Sequence, residues 1–389
     1  MSNKVLYAKC DNYDQKNIDT ALDFLLNNLD NFEERISKAK KILIKPNLLT
    51  ARSPEQAVTT HPEILIALIN KIKNPNTEII LADSSAGPYN KNCIEKIYST
   101  CKMDLVSEAT GCQLNRDFSD VDVKFPNGQI SKNYKIIRIA EEADLIINFA
   151  KLKTHCFTLL TGATKNLFGL IPGVLKVQYH LTMPDIDIFC GMLLDIEEHY
   201  ANKTISFIDG ILGMEGFGPS NGTPINSRCI LASENPVELD ILACKIMGIN
   251  PEKVMTIMQA YKRNIISSTS IDDLNIISSD EIEKFNFKLP SDRTTVLPKI
   301  VPDWLVKGFN NLMISKPIIK QDYCTGCKVC ELSCPPHVIK VNNKVATIQD
   351  YNKCIKCYCC QELCPNNAIE LKKPFLRKLL GVLLSKHNP

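Results

Sequence analysis

The sequence predicts an α/β domain, with a mainly parallel sheet in layers covered by helices, followed by a small C-terminal α+β module. Three observations predict it. Over the first 290 residues, short β-branched apolar runs alternate with segments of helical spacing, the pattern of a parallel sheet buried on both faces. Clusters of lysine, histidine and glycine follow several of those apolar runs. Nine of the seventeen cysteines fall between residues 324 and 364, where the alternation stops.

The elements follow in order. "KILIKP" (41–46) and "TEIILAD" (77–83) have the apolar, β-branched content of buried strands. Between them "PEILIALINKI" (62–72) repeats apolar residues at helical spacing and opens on proline, which the first turn of a helix accepts. "NKNCIEKIYSTC" (90–101) reads as a helix, "ADLIINFAK" (143–151) as a buried strand and "MPDIDIFCGMLLDIEEHY" (183–200) as a helix. "KTISFID" (203–209) is a further strand, and "NPVELDILACKIMG" (235–248) a helix that glycine ends.

Parallel sheets bind ligands beyond the carboxyl ends of their strands, so the segments after these strands are where chemistry is expected. There stand Lys45-Pro46-Asn47, "TTHP" with His61, "DSSAGP" from Asp83, and "KLKTH" with Lys151, Lys153 and His155. "TGATKNLFGLIPG" adds Lys165 and Asn166, "KVQYH" adds Lys176 and His180, and "DGILGMEGFGPSNG" adds Asp209 and Glu215. Lysines and histidines together suit an anionic substrate and a proton donor. The catalytic candidates are Lys153, His155, Lys165 and His180; the substrate-binding candidates are Lys45, Asn47, His61, Asp83, Asn166 and Asp209. Lys45, Asn47, Asp83, Lys153, His155, Lys165 and His180 are expected to converge on one cavity. A single lysine is most often solvated, a lone histidine equally suits a cap or a core, and glycines serve turns, so the set carries more weight than its members. "TGATKN" lacks the order of a Walker A loop, and no dinucleotide fingerprint follows the first strand.

"CTGCKVCELSCP" (324–335) and "CIKCYCCQELCP" (354–365) repeat one pattern at an offset of thirty residues. This is the C-x2-C-x2-C-x3-C-P run of bacterial two-cluster ferredoxins. Structural zinc sites usually join two short knuckles across a long loop, which suits four thiolates in eleven residues poorly. In such ferredoxins the fourth cysteine of each run ligates the other cluster. Two [4Fe-4S] clusters are therefore expected, one on Cys324, Cys327, Cys330 and Cys364, the other on Cys354, Cys357, Cys360 and Cys334. Cys359 is left over, read as a free thiol with a ligand role as the alternative.

The other eight cysteines are scattered singly, unlike a secreted disulfide framework. The start "MSNKVLYAKCDNYDQ" has no basic segment followed by an apolar one, and no apolar run reaches the eighteen or so residues of a membrane helix. A reducing, cytoplasmic setting is expected, and the Lys, Asn and Ile richness with its clusters fits an anaerobe. A net charge of +3, no basic stripe and one tryptophan argue against nucleic acid.

The motifs "ILIKPN", "KLKTH", "TGATKNLFGLIPG", "DGILGMEGFGP" and "ELDILACKIMG", followed by a two-cluster ferredoxin tail, resemble the domain-of-unknown-function 362 family of iron-sulfur proteins. The resemblance spans nearly the whole chain and implies a cytoplasmic protein with a C-terminal ferredoxin module. It implies no particular activity. In "SENPVELD", Asn235 and Glu238 depart from the acidic residue and the alanine that the resemblance leads one to expect, while Asp240 is kept.

The predicted organisation is an α/β domain over 1–290, a docking linker over 291–315, a two-[4Fe-4S] ferredoxin domain over 316–373 and a basic amphipathic tail over 374–389. The tail either docks on the chain's own body or contacts a membrane surface. The function expected is that of an iron-sulfur redox protein, a ferredoxin-linked oxidoreductase in which the ferredoxin module relays electrons to or from a reaction on a small anionic substrate. A redox partner (ferredoxin, flavodoxin or reductase) would complete the circuit. The alternative is a plain electron carrier or assembly factor whose large domain binds a partner protein.

Overall fold

The computed structural model describes residues 3–290 and 315–372. The expected docking linker, apart from Ser315, and the basic tail lie outside the described residues. The chain divides into two compact units, Met1–Lys288 and Leu289–Pro389.

In the first unit β1 (Lys4–Lys9) precedes α1 (Gln15–Asn28) and α2 (Phe32–Lys38), and β2 (Lys41–Pro46), α3 (Pro62–Ile72) and β3 (Glu78–Leu81) follow. Helices α4 (Lys91–Thr100) and α5 (Met103–Thr110) lead to β4 (Gln113–Leu114), the hairpin of β5 (Asp120–Lys124) and β6 (Asn133–Ile137), and α6 (Arg138–Glu142). Next come β7 (Leu145–His155), β8 (Leu159–Leu160), α7 (Gly162–Asn166), α8 (Leu175–Thr182) and α9 (Ile186–Tyr200). The unit ends with β9 (Thr204–Glu215), β10 (Thr223–Ser233), α10 (Pro236–Met247), α11 (Met255–Lys262) and β11 (Asn275–Ser278).

The main sheet runs β11-β1-β10-β9-β7-β2-β3-β4. From β4 through β3, β2 and β7 to β9 every pair is parallel. The β9–β10 and β10–β1 pairs are antiparallel, and β11 joins β1 in parallel. Strands β1, β10 and β11, absent from the sequence prediction, thus extend a mainly parallel sheet on one side. After β2 the chain steps outward to β3 and β4, then returns to lay β7 on the other side of β2. The gap between β2 and β7 is therefore a topological switch point, where such sheets open a crevice.

Alternation along the strands divides the core. Ile42, Ile44, Ile147 and Phe149 join the helices α1 to α5 on one face. Leu43 and Ile146 meet α9 on the other, and Tyr7, Ala150 and Leu231 meet α10 and α11 there. Helix ends follow their sequence signals. In α10 the Asn235 side chain accepts from Val237 N and Glu238 N, Pro236 takes the first turn, and Gly248 closes at φ 70°. Asn235 therefore does the capping work that an acidic residue could also do.

In the second unit β12 (Lys316–Ile319) pairs with β15 (Ile369–Lys372), and β13 (Ile339–Asn342) with β14 (Val345–Ile348), both antiparallel. The helical turns Val329–Leu332 and Cys359–Glu362 stand thirty residues apart, like the cysteine runs. The backbone repeats with them: positive φ falls in pairs at Gly326 and Lys356, Lys328 and Tyr358, His337 and Asn367. This is the small α+β ferredoxin-type fold. At Gly326 a Cβ would come within 2.6 Å of the Lys344 backbone, so glycine answers close packing as well as the turn.

Candidate functional site

The strands extend further than their apolar runs suggest. β7 continues to His155 and β9 to Glu215, pairing Lys151 with Asp209 and Lys153 with Met214. The residues beyond Lys151 in "KLKTH" and beyond Asp209 in "DGILGMEGFGP" are thus strand as well, not loop. Lys45, Lys151 and Lys153 are all completely buried, against the usual expectation of a solvated lysine. Burial of an ammonium requires oxygen partners, and each lysine has them.

At the carboxyl ends of β2, β3 and β7 lies a polar cleft of ≈ 420 Å³, at the switch point of the sheet. Of the seven residues expected to converge, Lys45, Asn47, Asp83, Lys153, His155 and Lys165 line it, together with Asn166. Lys45 Nζ donates to Asp83 Oδ1 at 2.8 Å and to the Pro46 carbonyl at 3.0 Å. The other Asp83 oxygen accepts from Leu48 N at 2.7 Å. Burial pulls the Lys45 ammonium below its ordinary value, and Asp83 opposes that fall. Lys153 Nζ donates to Asn47 Oδ1 at 2.9 Å and to the Val58 carbonyl at 2.6 Å. Asn47 donates in turn to Asn166, and Asn166 to Asn148, each at 2.8 Å. This amide chain ties the end of β2 to α7 and β7.

The turn after β7 orients His155. Its Nδ1 accepts from Phe157 N at 3.0 Å and Thr158 N at 3.4 Å, so in the neutral ring the proton resides on Nε2. Asp240 caps α7 by accepting from Ala163 N at 2.6 Å and Thr164 N at 3.2 Å. Burial pushes the Asp240 carboxyl up to about 7. A Cβ on Gly162 would meet the Asp240 side chain at 2.2 Å, and one on Gly169 would meet Asp83 Oδ1 at 2.0 Å. Those two glycines let α7 and the following turn close against buried charge.

Sequence reasoning passed over Lys176 and Ser84 as site residues. Lys176 Nζ donates to the carbonyls of Ile171, Ser84 and Ser85 and to Ser84 Oγ, fixing the turn beyond β3 against α8. Burial pushes its ammonium down to about 7, Asp83 pulling it up and Lys45 and Lys165 pushing it further down. The only signal available was its place in "KVQYH", one turn before His180.

Three candidates do not reach the cleft. His180 is buried in an aromatic cluster, stacked on Phe189 at 4.5 Å and edge-on to Phe157. One turn of α8 separates it from Lys176, and its ring follows the apolar side. His61 and Asp209 belong to a second cluster. Asp209 accepts from Tyr13 Oη and Lys151 Nζ, each at 2.8 Å, and from His61 N at 3.0 Å. The His61 ring stacks on Tyr13 at 3.7 Å, and its Nδ1 caps α3 by accepting from Glu63 N. Burial pushes the His61 imidazole down to about 4.

The thiols of the second unit form two sets. Cys324, Cys327, Cys330 and Cys364 line one pocket, and Cys334, Cys354, Cys357 and Cys360 line another. Among the described residues no three His, Cys, Asp or Glu side chains converge on a single metal ion. Ala346 N donates to Cys324 Sγ at 3.4 Å and Ala368 N to Cys364 Sγ at 3.2 Å, the backbone contacts that thiolate ligands accept.

A ferredoxin-type unit with such thiol sets, in one chain with an α/β unit that has a polar switch-point cleft, defines an iron-sulfur protein with a redox role. The family description "Domain of unknown function (DUF362)" matches residues 42–245, and the chain belongs to that family. A second description, "4Fe-4S binding domain", matches residues 347–370, so the C-terminal unit binds a [4Fe-4S] cluster. The "Thylakoid-associated protein sll1697" of Synechocystis sp. is 28% identical over 75% of this chain and 88% of its own length. "Pyruvate synthase subunit PorD" of Thermotoga maritima is 30% identical over 15% of this chain and 60% of its own. A component of the ion-translocating oxidoreductase complex of Methanosarcina acetivorans is 47% identical over 13% of this chain and 18% of its own. Among solved structures, the lactate racemase apoprotein of Thermoanaerobacterium thermosaccharolyticum aligns over 60% of this chain and 55% of its own, at 14% identity and a TM-score of 0.39. Among the described residues no helix is long and apolar enough to cross a membrane.

Proposed function

We propose that this protein holds two [4Fe-4S] clusters and uses them to carry electrons to or from a small anionic substrate in the switch-point cleft. One observation carries the substrate class: four lysines, Lys45, Lys153, Lys165 and Lys176, line the cleft with a single carboxylate, Asp83. Asp83 offsets Lys45 and burial brings Lys176 down to about 7, so the positive excess rests on Lys153 and Lys165, and it favours an anion. Lys153 and Lys165 attract and orient it, Asn47 and Asn166 hold the wall, and His155, which lines the same cleft, serves as proton donor. Lys45 and Asp83 neutralise one another and keep the floor of the cleft in place.

The two-cluster reading is supported by the two thiol sets, each drawing its fourth cysteine from the other run. When bound, the clusters supply one-electron chemistry. Electrons reach them from a redox partner protein, ferredoxin, flavodoxin or a reductase, in a reducing cytoplasm where the cysteines outside cluster ligation stay free thiols.

The test is an anaerobic potentiometric titration followed by electron paramagnetic resonance, on the wild type and on the Lys153→Ala/His155→Ala variant, with and without phosphate or small carboxylates. An anion that shifts a cluster potential or spectrum in the wild type but not in the variant supports the reading. Identical responses in both proteins would favour the plain carrier or assembly factor.

A further inference from the structure

The start of α7 carries a hydroxyl that the fold does not use. Thr161 stands at the cap position just before Gly162 and is only 4% exposed. It lines the switch-point cleft together with Lys153, His155, Lys165 and Asn166. Its backbone N donates to the Lys153 carbonyl at 3.0 Å, which fixes the residue beside that lysine.

A threonine at a cap position ordinarily accepts, through its side chain, from the second or third amide of the helix. In α7 those are the amides of Ala163 and Thr164, and Asp240 takes both, reaching in from α10. Thr161 accordingly makes no side-chain cap bond. Among the described residues its Oγ1 is buried without a hydrogen-bond partner. Other polar groups of the cleft wall differ. Lys45 bonds Asp83, Asn47 and Asn166 belong to the amide chain, and Lys176 donates to oxygens of Ser84, Ser85 and Ile171. A buried hydroxyl left without a partner destabilises the fold that carries it. Valine in its place would deprive α7 of no hydrogen bond, so the hydroxyl calls for a reason other than the helix.

We infer that Thr161 is a ligand-binding residue of the cleft, its hydroxyl donating to one oxygen of a small oxyanion whose charge Lys153 and Lys165 meet. The inference rests on the anion reading of the cleft. An ammonium acts as a point charge on a flexible stem, whereas a hydroxyl on a short β-branched side chain fixes the direction of one bond. A hydrogen bond to a charged acceptor is also stronger than one between neutral groups. The hydroxyl is already buried in the ligand-free protein, so it gives up no water when it bonds the anion. The ligand supplies the partner that the cap by Asp240 leaves Thr161 without.

The experiment uses the anaerobic full-length protein, with inorganic phosphate and acetate as probes, and compares wild type with Thr161→Val, Thr161→Ser and Lys165→Ala. Affinities are read by isothermal titration calorimetry, and thermal unfolding without added anion by far-ultraviolet circular dichroism. Valine keeps the branched shape and removes only the hydroxyl. Thr161→Val should weaken binding of the tighter probe by about tenfold or more, the scale of one hydrogen bond to a charged group. It should also raise the unfolding temperature without anion, because an unpaired buried polar group is gone. Thr161→Ser, whose hydroxyl still donates, should bind nearly as wild type does. The tighter of the two probes tells whether a phosphate or a carboxylate group fits the site. Unchanged affinity in Thr161→Val would overturn the inference, as would equal losses in the valine and serine variants. Weaker binding joined to a lower unfolding temperature would also overturn it, by making the hydroxyl part of the scaffold. If wild type bound neither probe, or bound one with no dependence on Lys165, the anion reading itself would fall and the inference with it.

Discussion

Replacing Lys45 by methionine tests how the cleft is held. Lys45 Nζ lies 2.8 Å from Asp83 Oδ1, with the two side chains 0% and 5% exposed. Methionine keeps most of the apolar stem and removes the cation. Asp83 Oδ2 keeps its hydrogen bond from Leu48 N, but Oδ1 loses its cationic partner at a position only 5% exposed. Breaking a buried pair from one side costs roughly 3–5 kcal/mol, and the surviving Leu48 contact places this case near about 3 kcal/mol. Adding Asp83→Asn removes the stranded charge and should return about 1–2 kcal/mol. The single tryptophan, Trp304, falls outside the first unit, so urea unfolding is best followed by far-ultraviolet circular dichroism. With a urea slope near 3 kcal/mol per molar, Lys45→Met should lower the midpoint by about 1 M, with the slope unchanged. A shift below about 0.3 M, the range of an exposed surface pair, would refute the reasoning. So would a double variant no more stable than Lys45→Met alone.

Three further expectations are independent of that one. Anaerobic protein should carry about eight irons and eight sulfides, Cys327→Ser and Cys357→Ser should each lower the count, and stoichiometric zinc without sulfide would overturn the cluster assignment. Gly169→Ala would force a Cβ to within 2.4 Å of Lys45 Nζ and should cost about 1–3 kcal/mol, whereas Gly87→Ala, with nothing within 4 Å, should be near neutral in the same denaturation assay. Burial pushes the Glu197 carboxyl from 4.5 up to about 8, and its Oε2 has no hydrogen-bond partner among the described residues. Between those values the folded state keeps a proton that the unfolded state has lost, so this residue makes stability fall as pH rises from about 5 to about 8. Glu197→Gln should flatten that slope in thermal unfolding measured across the range; an unchanged slope would assign it to other groups.

The cysteine runs were legible because cluster ligation is local. Four thiols at fixed spacing and a following proline specify a turn geometry, and the second copy thirty residues later repeats it down to the positive-φ positions. The alternating strands and helices were equally legible, since hydrophobic period and caps are properties of short windows: the predicted runs 41–46 and 62–72 coincide with β2 and α3. The lysines of β7 were not. In sequence Lys151 ends the predicted strand and Lys153 lies beyond it, and either alone looks like a solvated lysine, yet both lie inside a buried strand. They can do so only because Asp209 and Asn47 reach them from 58 and 106 residues away. The same long-range pairing separates the candidates: Asp209 is drawn to Lys151 and Tyr13, Asp83 to Lys45, and His180 to Phe189. Residue type and spacing therefore determined which groups were available for chemistry. Which of them share one cleft was decided by strand order and register, because desolvated charge survives only where the tertiary fold delivers a partner.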